Sequence, residues 1–401
     1  MVFGAGSETD KENVVVSDTL ELSIVIPCLN EERTIAICVE KARKALHDLA
    51  IKGEVLVVDN GSQDRSAEVA TSAGARVVHQ DVRGYGSALK KGFEEACGTY
   101  IVMGDADGTY DFSSIVDFVS LLRSGSDFVM GSRMRGVIFP GAMPWLHRYF
   151  GTPLLTTIIN RFFKTTITDV NCGMRGFTRE AVLKLNLGSK GMEFASEMIV
   201  KAAINRLVIR EIPINLYPSP VERTPHLRSF SDGWRHLRFM LYFCPKYLFL
   251  YPGLLLFTIG MFFLGLCFLN STPFGIPFGL STLVLANALL LMGTQVALFG
   301  VFALLYQAGQ GMVEEDAICR FLRNSFTLER GLITGGAILF AGLIALSSVI
   351  WNIINYAMWQ PQVNVPLTKA AIASIFIMLL GIQIIFSSFY LSIINPTRSL
   401  N

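Results

Sequence analysis

The fold is decided by the stretch Gly98-Thr-Tyr-Ile-Val-Met-Gly-Asp-Ala-Asp-Gly-Thr-Tyr-Asp-Phe112. Residues 100–104 are apolar and bounded by glycines, which predicts a short buried strand. This strand delivers Asp105 and Asp107 onto a glycine-bearing turn, where both carboxylates need water or a cation. A hard divalent cation that also holds a diphosphate would satisfy them. The alternative is an Asx turn with two solvated carboxylates, and the rest of the chain decides between the two.

Strands and helices alternate around this stretch. The pattern predicts strands over 22–27, 54–59, 76–79, 100–104, 127–131 and 208–213. It predicts helices over 31–49, 64–73, 86–97, 144–163 and 193–205, the fourth of which is one helix or a pair. Such alternation indicates an α/β domain with a mainly parallel sheet and helices on both faces.

Polar side chains follow several of these strands. Asn30, a predicted helix cap, and Asp59, Asp105 and Asp107 all fall at the carboxyl ends of strands. Ligands of such sheets bind at that edge. Four polar residues at one edge therefore favour a binding site over an isolated turn.

The second half of the chain has the composition of a membrane domain. Of 401 residues, 51% are hydrophobic and 16% are charged. Residues 247–313, 331–368 and 370–397 contain no charged residue. These runs are long enough for four membrane-spanning helices, predicted near 247–269, 279–306, 332–355 and 370–393.

The distribution of charge predicts the orientation in the membrane. Of 34 Lys and Arg residues, 29 lie in the first 246 residues, together with 28 of the 32 acidic residues. This nearly neutral front part argues against a nucleic-acid partner. Arg320, Arg323 and Arg330 lie between the second and third spans, so the positive-inside rule places both termini and the front domain in the cytoplasm. Residues 1–20 are polar and show no cleavable signal peptide. The absence of a eukaryotic targeting signal favours a bacterial inner membrane.

These features divide the chain into five segments. We expect a disordered tail at 1–21, the α/β domain at 22–222, and a juxtamembrane amphipathic segment at 223–246 that is rich in Arg, His, Trp and Phe. An all-α domain of four transmembrane helices follows at 247–394, with a C-terminal tail at 395–401. The seven cysteines form no close pairs. We interpret Cys28 and Cys172 as packing residues, since neither has a metal-ligand neighbour.

Five motifs, in order, resemble a known family. They are Ile24-Val-Ile-Pro-Cys-Leu-Asn-Glu-Glu32, Val57-Val-Asp-Asn-Gly-Ser62, Asp105-Ala-Asp107, Gly131-Ser-Arg133 and Asp169-Val-Asn-Cys-Gly-Met-Arg175. The chain resembles the inverting family-2 glycosyltransferases of GT-A fold, and within them the polyprenyl-phosphate glycosyltransferases typified by dolichol-phosphate mannose synthase. The resemblance covers residues 22–245 and implies transfer of one sugar from a nucleotide sugar, of the GDP-mannose or UDP-glucose type, to a polyprenyl phosphate.

The resemblance also implies which residues bind the nucleotide sugar. Pro27, Asn30, Glu32 and Asp59 would line the nucleobase and ribose pocket. Asn60 replaces an acidic residue of many relatives. Further residues expected to contact the diphosphate or the sugar are Gly84, at the start of a helix with free N–H groups, Lys90, Arg175 and Glu193.

The resemblance implies that Asp105, Asp107 and Asp169 are the catalytic residues. Asp107, with Asp105, would bind Mg²⁺ or Mn²⁺, which neutralises the departing diphosphate. Thr109 stands where relatives often carry Gln, so water can fill that ligand position. A phosphate acceptor needs little or no general base, because it is already anionic. Asp169 and Glu193 are the candidates, with Glu197 one helical turn beyond Glu193.

The acceptor phosphate is expected to be bound by arginines. The resemblance places Arg133 and Arg148 there, with Thr152 one turn beyond Arg148, and Arg223 and Arg228 closing over the site. The alternative for Arg148 is a membrane-interface arginine. The expected partners are therefore a nucleotide sugar, undecaprenyl or dolichyl phosphate, and the bilayer, with a homo-oligomer possible. The alternative functions are a processive polysaccharide synthase, whose Gln-x-x-Arg-Trp string is absent from the sequence, and a non-enzymatic membrane assembly or transport protein.

Overall fold

The structure, a computed structural model, describes residues 20–220, 229–268, 279–310, 317–325, 327–357 and 365–394. The chain divides into two compact units, Met1–His236 and Leu237–Asn401.

The first unit contains a seven-stranded sheet. Its strands are β1 (Leu22–Cys28), β2 (Gly53–Asp59), β3 (Arg76–His79), β4 (Tyr100–Met103), β5 (Phe128–Ser132), β6 (Arg175–Thr178) and β7 (Ile209–Pro213). Their order across the sheet is β3-β2-β1-β4-β6-β5-β7. Only β6 runs antiparallel, to both β4 and β5. The predicted mainly parallel sheet is confirmed.

Helices cover both faces of this sheet. They are α1 (Ile35–Asp48), α2 (Ser66–Ser72), α3 (Tyr85–Glu95), α4 (Ile115–Arg123), α5 (Thr152–Phe163), α6 (Arg179–Lys184) and α7 (Phe194–Ile204). Because side chains alternate along a strand, Ile24 and Ile26 of β1 join the core that α1 completes. Val25 faces the other way, toward α3, where a Cβ on Gly92 would lie 2.4 Å from it. Burial on both faces explains why β1 is almost continuously apolar.

Two local features differ from what the sequence indicated. Strand β6 was not predicted, and it begins at Arg175, the last residue of the motif that starts at Asp169. Asn30 is not the cap of α1, because that helix begins after Thr34 and Asn30 has a positive φ of 56°. The prediction of one helix or a pair over 144–163 is confirmed, with a five-residue π-helical segment, His147–Gly151, leading directly into α5.

The second unit is helical. Its elements, with the helix that leads into it, are α8 (Ser229–Tyr242), a π-helical turn at Lys246–Leu250, α9 (Tyr251–Phe268), α10 (Leu280–Gly309), α11 (Ala317–Ser325), α12 (Leu328–Ala357) and α13 (Val365–Ile394). In the described residues, four segments are long and apolar enough to cross a membrane: Lys246–Phe268, Leu280–Gly309, Leu328–Asn355 and Val365–Ile394. The four predicted spans are thereby confirmed.

Small residues bring these helices together in pairs. A Cβ on Gly253 of α9 would lie 2.3 Å from the backbone of Ala297 in α10. Likewise, a Cβ on Gly381 of α13 would lie 2.5 Å from the backbone of Leu339 in α12. Close backbone approach at glycine is how helices pack where hydrocarbon removes the hydrophobic driving force between them.

Candidate active site

The carboxyl edge of the sheet carries the loops that follow β1 and β2, and side chains join these loops to each other. The Oδ1 atom of Asn30 accepts from the Gln63 amide at 2.7 Å. The Oε2 atom of Glu32 accepts from the Arg65 amide at 3.1 Å. The structure therefore gives Asn30 and Glu32 a loop-joining role, and their contact with a nucleobase stays a prediction, as does that of Pro27 near the end of β1.

Asp59 and Asn60 end strand β2. Asp59 is buried, with its carboxylate 3.2 Å from Nδ1 of His79 at the end of β3. The amide of Asn60 donates to the carbonyls of Gln80 and Val82, both at 2.9 Å. Its Oδ1 atom accepts from the Gly84 amide at 2.7 Å. Asn60 therefore fixes the chain that leads into α3, a role that a carboxylate, which has no N–H, would fill only in part.

The expected free N–H groups at the start of α3 are occupied. Besides the Gly84 amide, those of Gly86 and Ser87 donate to the carbonyl of Lys190, at 2.9 and 3.4 Å. A Cβ on Gly84, whose φ is +141°, would lie 2.1 Å from that carbonyl oxygen. Gly84 thus lets the Lys190 loop pack on α3, and the contact of this turn with a diphosphate stays a prediction.

Asp105 is held from two sides. The phenol of Tyr85 donates to its Oδ1 atom at 3.0 Å. A Cβ on Gly173 would lie only 2.2 Å from its Oδ2 atom, so glycine is needed there. The Gly173 amide in turn donates to the Tyr110 hydroxyl at 2.9 Å. Burial, together with the charge of Asp105, raises the pKa of Tyr85 well above its usual value, which keeps the phenol protonated as a donor.

Asp107 lies on the same turn as Asp105. Its Oδ1 atom accepts from the amide and the hydroxyl of Thr109, at 3.0 and 2.6 Å. Thr109 therefore holds the carboxylate of Asp107, the residue expected to bind the metal, in a fixed orientation.

The side chains present fit a divalent cation that binds together with its substrate. No group of three or more His, Cys, Asp or Glu residues suited to a metal occurs in the part of the chain that the structure describes. Asp105 and Asp107 supply two carboxylates on one turn. Mg²⁺ typically takes one or two carboxylates and completes its shell with substrate phosphates and water, which matches this donor set.

Arg133 and Asp169 form a buried ion pair. The guanidinium donates from Nε to Oδ2 at 2.6 Å and from Nη2 to Oδ1 at 2.8 Å. Asp169 is fully buried and also accepts from the Arg133 and Asn171 amides. Burial alone would lower the pKa of Arg133, but the charge of Asp169, its hydrogen bonds to the guanidinium and the neighbouring Tyr110 and Cys172 together outweigh it and raise that pKa. In this structure Asp169 and Arg133 bind each other, so the roles of Asp169 as a general base and of Arg133 as a phosphate ligand stay predictions.

Arg175 is also buried, and its described partners are carbonyls. Its guanidinium donates to the carbonyls of Cys172, Ala195 and Val170, at 2.9, 2.6 and 2.7 Å. Burial lowers its pKa below the usual value. Arg175 thus connects the 169–174 loop to the first turn of α7, and its contact with the nucleotide sugar stays a prediction.

Two glutamates near the start of α7 differ in their partners. The carboxylate of Glu197 accepts from the Gly188 and Ser189 amides and pairs with Lys201. Its hydrogen bonds and this ion pair lower its pKa, although burial opposes them. In Glu193, by contrast, the Oε2 atom is buried without a hydrogen-bond partner among the described residues. Glu193 is therefore the better candidate for contact with a substrate.

The acceptor candidates fall into three groups. Arg148 is half-buried on the π-helical segment, with its guanidinium 5.4 Å from the Tyr149 ring centroid. Thr152 is buried and accepts from Asn171 Nδ2 at 3.3 Å, so it joins α5 to the 169–174 loop instead of facing solvent. Arg223 and Arg228 lie outside the described residues.

Lys90 and the cysteines complete the comparison with the sequence. Lys90 lies on the exposed face of α3, away from the residues that pack on the sheet. Cys28 and Cys172 are buried, and burial raises the pKa of each thiol to about 12. Both thiols therefore stay protonated, as packing residues do.

Sequence reasoning missed Tyr85, Tyr110 and Lys190. Tyr85 lies between the two glycines of the Gly84-Tyr-Gly86 motif, so the signal for it was present. The other two act through long-range contacts that no local pattern shows.

Comparison with known proteins identifies the family. The sequence matches the model for glycosyl transferase family 2 over residues 23–185 and that for the glycosyltransferase family 2 C-terminal transmembrane region over residues 301–395. It is 40% identical over 373 residues to the low-salt glycan biosynthesis hexosyltransferase Agl6 of Haloferax volcanii, covering 92% of this chain and 88% of that protein. The chain belongs to glycosyl transferase family 2.

Two further similarities concern the front of this family-2 glycosyltransferase. It is 30% identical over 196 residues to the dolichyl-phosphate hexose transferase of Haloferax volcanii, covering 48% of this chain and 82% of that protein. It is 20% identical, with a TM-score of 0.43, to glucosyl-3-phosphoglycerate synthase from Mycobacterium tuberculosis in complex with Mn²⁺, uridine diphosphate and glucosyl-3-phosphoglycerate, over 56% of this chain and 78% of that one. The sheet and its helices are the GT-A fold that the motifs implied, and the four candidate spans make this glycosyltransferase a membrane protein.

The contact between Tyr85 and Asp105 generates a prediction for this glycosyltransferase. Tyr85→Phe removes one hydrogen bond to a carboxylate, an interaction of about 1.5–3 kcal/mol. We expect kcat for sugar transfer to fall about 10- to 100-fold, with a higher divalent-cation concentration needed for half-maximal rate. Thermal unfolding should change little.

Tyr100→Phe is the matched control, because Tyr100 lies at the opposite, amino end of β4. A Tyr85→Phe enzyme whose rate and cation requirement equal those of the wild type would show that the phenol does not position Asp105.

Proposed function

We propose that this membrane glycosyltransferase moves one hexose from a nucleotide sugar to a polyprenyl phosphate, with inversion at the sugar C1. The donor is of the GDP-mannose or UDP-glucose type, and the acceptor is undecaprenyl or dolichyl phosphate. The names of two relatives support this reaction, since one is a hexosyltransferase similar over 92% of this chain and the other a dolichyl-phosphate hexose transferase. The positive-inside pattern supports a cytoplasmic site.

An exposed aromatic surface, Trp145, Tyr149 and Phe150, carries the proposal of a lipid acceptor. These side chains are 71%, 60% and 59% exposed. Large aromatic residues rarely lie so open on a soluble domain, and Trp and Tyr favour the boundary between water and lipid. Arg148 lies within the same segment, so a cation is available there to bind a lipid phosphate.

One hydrogen bond and one packing contact connect this surface to Asp105. Thr152, two residues after Phe150, accepts from Asn171 in the 169–174 loop. Gly173 of that loop packs against Asp105. An acceptor phosphate near Arg148 would thus approach the sugar from the side of the 169–174 loop, while Asp105 and Asp107 hold the leaving diphosphate.

The chemistry required of the chain is mainly positioning. A phosphate monoester carries between one and two negative charges near neutral pH, so its oxygen attacks C1 without a strong base. The unpartnered Oε2 atom of Glu193 is suited to accept a hydrogen bond from a sugar hydroxyl. When bound, Mg²⁺ or Mn²⁺ would supply charge neutralisation on the departing diphosphate.

The reaction is tested directly with the purified full chain. It is incubated with undecaprenyl or dolichyl phosphate, a divalent cation and a panel of labelled nucleotide sugars. We expect one donor to place label in the lipid phase as a single sugar of inverted anomeric configuration. Label in a growing polymer, or no lipid-linked label with any donor, would contradict the proposal.

Asp107→Asn should remove most of this transfer. Loss of a ligand that holds the cation and diphosphate costs several kcal/mol of transition-state stabilisation, so we expect a fall of at least 100-fold, matched by EDTA in the wild type. Asp111→Asn is the control, because Asn keeps the acceptor that caps Ser113 at 3.0 Å. Full turnover in EDTA would refute the metal assignment.

The aromatic surface should act on long-chain acceptors only. With Trp145, Tyr149 and Phe150 changed to Ser, we expect KM for undecaprenyl phosphate in liposomes to rise at least tenfold. KM for a short, water-soluble prenyl phosphate should stay within twofold. Arg148→Ala should raise both, since it removes a charged hydrogen bond to phosphate.

Leu183→Ser, at an exposed apolar position on α6, is the control for loss of surface hydrophobicity. If the triple variant loses both acceptors equally, or neither, the aromatic surface does not receive the lipid.

A further inference from the structure

Two glutamines of the membrane unit lie against each other on its outer surface. Nε2 of Gln383 in α13 donates to Oε1 of Gln295 in α10 at 2.6 Å. Gln295 is exposed and Gln383 is partly exposed. Among the described residues, neither glutamine amide makes a further hydrogen bond to another side chain. The pair therefore keeps unused donors and acceptors, since each glutamine amide has two N–H groups and one oxygen.

The two glutamines lie deep within the membrane-spanning helices, where hydrogen-bonding groups without partners are unusual. Gln295 lies at the middle of α10 (Leu280–Gly309), and Gln383 lies in the central part of α13 (Val365–Ile394). At a rise of about 1.5 Å per residue, Gln295 is about 20 Å from either end of its helix. The hydrocarbon core of a bilayer is about 30 Å thick. A glutamine side chain at this depth is too short to reach the headgroups, and lipid chains offer it no partner.

The residues around the pair form an outward surface. We call it the Gln face, and it consists of Met292, Gln295 and Phe299 on α10 with Leu379, Gln383 and Phe386 on α13. Its hydrophobic members are all exposed. Apolar side chains around a polar centre are suited to contact another transmembrane helix, because polar side chains join helices across a membrane.

We propose that the Gln face binds the Gln face of a second copy of this chain. A glutamine amide is both donor and acceptor, so two identical pairs related by a twofold axis complement each other. In such an isologous interface, both copies use the same surface, so the Gln face of one copy lies against the Gln face of the other. The pairing supplies protein partners for amides that lipid cannot satisfy. It concerns assembly alone and is independent of the sugar and acceptor proposed above.

The first test is photocrosslinking of the full chain in liposomes. A benzophenone amino acid replaces Phe386, which is 69% exposed on the Gln face, or Phe340, which is 66% exposed on α12. The two positions match in residue type and exposure. We expect a covalent dimer of this chain from position 386 and at least tenfold less from position 340. Equal yields, or crosslinks from position 386 to other proteins or lipid alone, would overturn the proposal.

The second test changes the amides themselves. The double variant Gln295→Leu, Gln383→Leu should raise the dissociation constant of the dimer in lipid at least tenfold, measured by single-molecule photobleaching across protein densities. Asn352→Leu is the control, because the Asn352 amide donates to the Ser348 carbonyl of its own helix at 2.8 Å. A wild type that is monomeric at every density, or a double variant that dimerises as the wild type does, would overturn the proposal.

Discussion

The buried ion pair between Arg133 and Asp169 is the interaction on which the rest of the site depends. It links the end of β5 to the start of the 169–174 loop through two guanidinium hydrogen bonds. That loop carries Gly173, which packs against Asp105. Burying two charges has a large desolvation cost that only good geometry offsets. The main effect of the pair is therefore to fix the position of the 169–174 loop.

Arg175 completes this arrangement from the other end of the loop. Its guanidinium is fully buried and donates to three carbonyls, one of them Ala195 at the start of α7. These hydrogen bonds hold the second end of the loop, while the pair of Arg133 with Asp169 holds its start. The loop is therefore fixed at both ends, and with it Gly173, the residue that packs against Asp105.

Much of this architecture follows from short-range patterns. The alternation of strands and helices, the two aspartates after β4 and the four apolar spans all depend on residues that are close in sequence. The roles of Arg133 and Asp169 do not, because these residues are 36 positions apart and either one alone resembles a ligand. Strand β6 was missed for a related reason, since it has four residues and begins with a buried arginine. The burial of a charge beside its partner depends on tertiary structure, so no local sequence pattern can predict it.

The pairing of Arg133 with Asp169 is tested most directly by a double-mutant cycle. Unfolding and transfer rate are measured for Arg133→Met, Asp169→Leu and the double variant in the full chain. We predict that each single variant loses about 3–5 kcal/mol of stability together with activity, because it leaves an uncompensated buried charge. The double variant should recover most of that stability. An Asp169→Leu enzyme that is as stable as the wild type but has no turnover would contradict the account, since that is how a general base behaves.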